Sequence, residues 1–148
     1  MPEKRTIEAA RRDKREGKAP STQAGEFVRE EIEHIRHGKH GARSTKQAIA
    51  IGLSKARRSG VKLAAPAKGE ASERTRRSAK SALKHAGEKP SPTRSRATEK
   101  ALKREGHSAA SKSALSRQAK TAAKKRTASD RSAAARKAAK TRARHSAA

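Results

Sequence analysis

Large apolar residues limit what this chain can fold into, and they are unevenly placed. Met1, Ile7, Phe27, Val28, Ile32, Ile35, Ile49, Ile51, Leu53, Val61 and Leu63 all precede position 64. Only Leu83, Leu102 and Leu115 follow. A core therefore has to form in the N-terminal part, and it has to be small. The remainder is dominated by Lys, Arg, Ala and Ser. Low hydrophobicity with high net charge leaves too little burial to offset the entropy of ordering. The chain has 148 residues and a net charge of +26. Residues 1–60 hold 15 Lys/Arg against 8 Asp/Glu, and residues 61–148 hold 25 against 6. The excess charge is concentrated after residue 60.

These patterns predict a mostly α protein: a small N-terminal helical module at 1–64, built on a hairpin, and a long, low-complexity basic tail at 65–148 that is disordered or only transiently helical. In the module, helices are expected at about 3–16, 22–37 and 45–59. The first carries one large apolar residue, Ile7, and reads as solvated and marginal. In the second, Ala24, Val28, Ile32 and Ile35 form one stripe, with Glu26, Glu30 and Glu33 on a solvated opposite face. The third opens on Ser44 with Gln47 three residues on, a capping-box pattern. It ends at Gly60 after Lys55, Arg57 and Arg58, where the helix dipole favours cations. Gly52 would let a neighbouring backbone approach closely. Phe27 and Ile51 lie off these stripes, facing the first helix, Val61 and Leu63, or a second copy of the chain. In the tail, KSALKHAG at 80–87, EKALKREG at 99–106 and KSALSRQA at 112–119 form a loose repeat. Transient helices are expected near 71–86, 93–105, 109–126 and 129–144.

Few chemistries fit. There is no cysteine, so thiolate zinc sites and cysteine nucleophiles are excluded. No Ser-His-Asp arrangement or phosphate-binding glycine loop stands out, and an enzyme is not expected. His34, His37 and His40 are spaced by three, but a helix end enriched in His and Arg explains them more simply than a metal. No cofactor or metal is expected. No segment has the apolar length to span a membrane, and the N-terminus has no apolar signal-peptide core.

The charge points to a polyanionic partner. With Phe27 as the single aromatic residue, the stacking platforms of sequence-specific RNA and single-strand modules are missing. The expected activity is sequence-independent, electrostatically driven binding to duplex DNA, of a nucleoid-associated or histone-like kind. Neutralising about ten phosphates would give a slope of log affinity against log salt near −9. The contacts expected are Arg43, Lys46, Arg57 and Arg58 in the module. In the tail they are Arg74, Arg76, Arg77, Lys103, Arg104, Lys124, Lys125, Arg126, Arg136, Lys137 and Lys140. An RNA- or ribosome-associated protein and a disordered stress-protective protein are the alternatives. A homodimer through the N-terminal helices is a further expectation. SPTR at 91–94 is similar to the S-P-x-basic repeats of linker-histone tails; Ser91 as an N-cap with Pro92 at the first helical position is the simpler reading.

Three stretches together carry a resemblance: STQAGEFVREEIEHIRHGKHGARSTKQAIAIGLSKARRSG at 21–60, TRSRATEKALKREGHSAASKSALSRQAK at 93–120, and the Ala/Lys/Arg-rich end. They resemble a family of short basic bacterial proteins, a domain of unknown function sometimes labelled DNA-binding. The tail's Lys/Ala/Ser composition is similar to that of bacterial linker-histone-like proteins. The resemblance implies a bacterial cytoplasmic setting and supplies no catalytic residues; the nucleoid location is expected from the DNA-binding reading.

Overall fold

The computed structural model describes residues 1–147. Among them are seven α-helices and one 3-10 turn. They run α1 (Lys4–Arg15), α2 (Pro20–Arg36), α3 (Thr45–Arg58), α4 (Glu73–Lys84), α5 (Pro92–Leu102), the 3-10 turn (Ser108–Ala110), α6 (Lys112–Lys124) and α7 (Ala128–Ser146). Internal contacts divide the chain into two units, Met1–Ser111 and Lys112 onward. The composition break at residues 64 and 65 falls inside the first unit.

In the first unit α2 is the central helix, packed against α1, α3 and the 3-10 turn. Its stripe is buried at Ala24, Ile32 and Ile35. Phe27 is 1% exposed and sits in a core with Ala10, Ala24, Ala56 and Val61, flanked by Ile7, Leu53 and Leu63. Burying a phenylalanine fully contributes about 1.5–3 kcal/mol, so this ring is a main anchor of a small core. Small residues let the helices close on it. A methyl group on Gly52 would stand 2.7 Å from Val28 Cα, so α2 and α3 touch backbone to backbone there. After α3, Gly60 takes φ 92°, which an L side chain resists. The Val61 amide then donates back to Ala56 O at 3.1 Å, and Val61 turns into the core.

Two expectations for the module need correction. First, α1 is not merely a solvated helix: it packs on α2 and buries Thr6, Ala10 and Asp13. Asp13 is held by Lys18 at 2.8 Å. Second, the acidic back of α2 is not a solvated face. Glu30 and Glu31 are 3% and 1% exposed, because the start of the chain covers one and Lys55 reaches the other. α2 therefore buries polar as well as apolar flanks.

The expected disordered tail is overturned: the described residues after 64 are largely helical. Large apolar side chains are not what holds this part together. From α4 to the 3-10 turn, main-chain groups do much of the joining. Gly87 N donates to Arg58 O at 2.8 Å, Gly41 N to Leu102 O at 2.9 Å, and Ala42 N to Gly106 O at 3.0 Å. Arg36 Nε donates to Ala110 O at 2.9 Å, and Thr45 Oγ1 to Ala109 O at 2.7 Å. Gly41 is itself buried, and a methyl group there would collide with the Glu105 and Gly106 carbonyls. Alanines complete the seal, with Ala79, Ala82, Ala109 and Ala110 all buried. Alanine is too small to appear in a list of core formers, yet it fits where backbones approach this closely.

The second unit is built differently. Neither α6 nor α7 buries a residue. Alanine's helix propensity favours both helices, and α7 begins with a full capping box in which Thr127 and Asp130 satisfy each other's backbone amides. Arg131 ties the two helices together by donating to Arg126 O at 2.7 Å and to Ala123 O at 3.3 Å.

Candidate nucleic-acid interface

Binding phosphate requires a cation that is exposed and not already neutralised. The cations expected to bind do not all qualify. Arg57 is 6% exposed and donates to Leu63 O and Ala64 O, each at 3.0 Å. Burial pushes its guanidinium below its ordinary pKa, and its role is to pin the segment after α3. Arg76 donates to Pro66 O at 3.2 Å and pairs with Glu73 at 2.6 Å. Both read as basic surface in the sequence and act as internal fasteners in the fold.

The others lie on the surface. Arg43 and Lys46 are exposed at the start of α3, and Arg58 is half-buried at its end. Arg74 and Arg77 are exposed on α4, Arg77 lying 3.9 Å from Glu73. Lys103 pairs with Glu99 at 2.8 Å, both well exposed, and this pairing holds the Glu99 carboxyl below its ordinary range. Arg96, Glu99, Lys100, Lys103 and Arg104 line a shallow cleft of about 370 Å³. Reading the sequence missed Arg96 and Lys100, although their i,i+4 spacing places them on one face of α5.

The strongest concentration is the second unit, with twelve Lys/Arg against the single carboxylate of Asp130. That carboxylate accepts from the Thr127 hydroxyl at 2.7 Å, and the bonds from Thr127 hold its pKa low. Lys124, Lys125, Arg126, Arg136, Lys137 and Lys140 are exposed there. None of these six has an ion-pair partner among the described residues. Arg126 makes one long contact, 3.4 Å to Asp130 O.

A second polar constellation lies where α2 meets the loop after it. Glu31, His34 and His40 each offer a ligand atom, all within 4.8 Å of one another. Glu31 and His34 share a helix face at i,i+3 spacing, and the loop brings His40 to them. His37 stays exposed and apart. The histidine spacing is visible in the sequence; the carboxylate that joins it sits on what looked like a solvated face.

Ser91 and Pro92 start α5 as N-cap and first helical residue, without a side-chain capping bond. Phe27 is core, so the apolar surface expected to meet a second copy reduces to Ile51, which is half-buried. No helix among the described residues is long and apolar enough to cross a membrane. Comparison with family models, with curated proteins and with solved structures finds no match to this chain.

Proposed function

We propose that this protein binds duplex DNA without sequence preference, through cations displayed on preformed helices. The observation that carries the reading is the second unit, with twelve Lys/Arg, one carboxylate already engaged in a cap, and no buried side chain. At 1.5 Å rise per residue, the 19 residues of α7 extend about 28 Å. The B-DNA major groove admits an α-helix. The major groove of A-form RNA is deep and narrow and seats a helix less readily, which favours DNA over structured RNA. A folded helix turns only part of its surface to one groove. About half of the twelve cations would then meet phosphates, giving a salt slope near −5 for this unit. The Arg43, Lys46 and α5 clusters add to affinity where the duplex reaches them. Such binding suits a protein of the nucleoid.

The experiment is a salt titration of the full-length chain on one duplex DNA and one structured RNA. It is repeated with Lys124, Lys125, Arg126, Arg136, Lys137 and Lys140 all changed to glutamine. A steep slope on DNA that becomes shallower by several units in the variant supports the reading. An unchanged slope moves the interface to the first unit, and tighter RNA binding overturns the choice of DNA.

A further inference from the structure

We infer that Glu31, His34 and His40 form a binding site for one divalent transition-metal ion of the zinc class. The starting point is a conflict of lone pairs. The Nδ1 atom of His40 lies 2.9 Å from Gly41 O. A carbonyl can only accept, so Nδ1 carries a hydrogen there, and unless the ring takes a second proton Nε2 is a bare acceptor. That nitrogen lies 3.1 Å from Glu31 Oε1. Despite the short distance, Glu31 Oε1 is buried without a hydrogen-bond partner. With one proton on the ring, two acceptors face each other, and Glu31 Oε1 is closed to water. A buried carboxylate oxygen left this way is costly, and either a second proton on His40 or a metal cation between the two removes the conflict.

Several features favour a metal ion as that cation. An imidazole oriented through Nδ1–H to a backbone carbonyl, with Nε2 turned inward, is the usual arrangement of a metal-bound histidine. Two histidines and one glutamate make a known zinc ligand set, which leaves a further position for water. Zinc–ligand bonds of about 2.0–2.1 Å in tetrahedral geometry separate ligand atoms by roughly 3.4 Å. The His40–Glu31 pair is already at 3.1 Å, and ligand atoms up to 4.8 Å apart would draw in by at most about 1.4 Å on binding. Glu31 keeps its other oxygen on Lys55 at 2.6 Å, so it would bind through Oε1 alone. Around the site His34 Nε2 lies 3.0 Å from Glu3 Oε1 and 3.8 Å from Glu30 Oε1, and Lys39 reaches Glu3 at 2.9 Å. Glu30 Oε1 is a second buried oxygen without a hydrogen bond.

The site has a structural consequence. His40 precedes Gly41 and Ala42, whose amides hold the Leu102 and Gly106 carbonyls. A metal joining His40 to α2 would fix the loop on which the end of α5 docks.

The test uses the full-length chain stripped with a chelator and titrated with Zn²⁺ in competition with a chromogenic chelator. One ion per chain is expected. Histidine ring resonances followed through the same titration should move for His34 and His40 and stay still for His37, His85, His107 and His145. His40→Gln and Glu31→Gln should each weaken binding by roughly 100-fold or more, while His37→Gln leaves it unchanged. Absence of saturable one-to-one binding overturns the proposal. So does binding that survives in His40→Gln, or that falls equally in His37→Gln, since either marks adsorption to surface histidines. If a variant unfolds, the wild-type resonances decide: a bound ion that leaves His34 and His40 unmoved refutes the site.

Discussion

Replacing Arg57 with alanine should destabilise the first unit by about 3 kcal/mol and leave the salt dependence of DNA binding unchanged. Arg57 donates two hydrogen bonds of 3.0 Å, to Leu63 O and Ala64 O. Hydrogen bonds from a charged donor contribute about 1.5–3 kcal/mol each. Leu63 is half-buried and Ala64 exposed, so water can reach the abandoned carbonyls and the low end of that range applies. The two bonds sum to about 3 kcal/mol, and the arginine stem, buried beside the core, adds some lost packing. The effect reaches further than the bonds, because the pinned segment carries Val61 and Leu63 into the Phe27 core. Arg58→Ala is the matched control. That side chain makes no internal side-chain bond among the described residues, so stability should stay within about 0.5 kcal/mol. If Arg58 meets a phosphate, the salt slope should fall by about 0.9. Urea denaturation followed by far-UV circular dichroism gives the first quantity, and anisotropy of a labelled duplex across a salt series gives the second. An Arg57→Ala protein as stable as wild type, with its slope reduced by about one, would show that Arg57 is a phosphate contact and refute the reasoning.

Three further outcomes are expected. Gly52→Ala should destabilise despite alanine's advantage of about 1 kcal/mol in helix propensity, because its methyl would press on Val28 Cα, and overpacking costs about 1–3 kcal/mol; urea midpoints give the sign. The Glu3 carboxyl is lowered from 4.5 to about 2, chiefly by its bond from His34 and then by Lys39; its stabilisation is present above the ordinary carboxylate pKa and lost as pH falls from about 4.5 towards 2, so Glu3→Gln should flatten that part of a melting-temperature profile. Thr127→Ala should cost α7 about 1 kcal/mol and raise the Asp130 pKa towards its ordinary value, both readable by NMR.

The first three helices are legible because apolar periodicity and caps mark them: the stripe of α2, Ser44 at the start of α3 and Gly60 at its end. Phe27 lies off the stripe, and its place was legible only as one of two alternatives, the first helix with Val61 and Leu63 or a second copy; the fold takes the former. The fate of Arg57 was not legible. Its neighbours Lys55 and Arg58 have the same charge and nearly the same setting, and only the turn at Gly60 brings two carbonyls to its guanidinium. Nor was the burial of Glu30 and Glu31 legible, because one is covered by the start of the chain and the other by Lys55 of α3 and His40 of the loop. The order of residues 73–111 was hidden for a related reason. Alanine methyls and main-chain groups hold it, and neither has a sequence pattern that hydrophobicity can reveal. In the candidate interface, exposure separates Lys124 and Arg136 from Arg57 and Arg76, and exposure belongs to the fold rather than to the residue type.

The bonds from Arg36 to Ala110 and from Thr45 to Ala109 span 74 and 64 positions. Their consequence lies in time. A chain that leaves the ribosome in order exposes α1, α2 and α3 first. The edge of α2 around Arg36 and the start of α3 wait uncovered until residues 109 and 110 arrive. Contacts this distant close slowly. Meanwhile the basic stretch from residue 61 to residue 107 emerges beside the ribosome's own RNA. Completing the first unit therefore waits on the last of its residues to be made, while every residue of the Phe27 core precedes position 64.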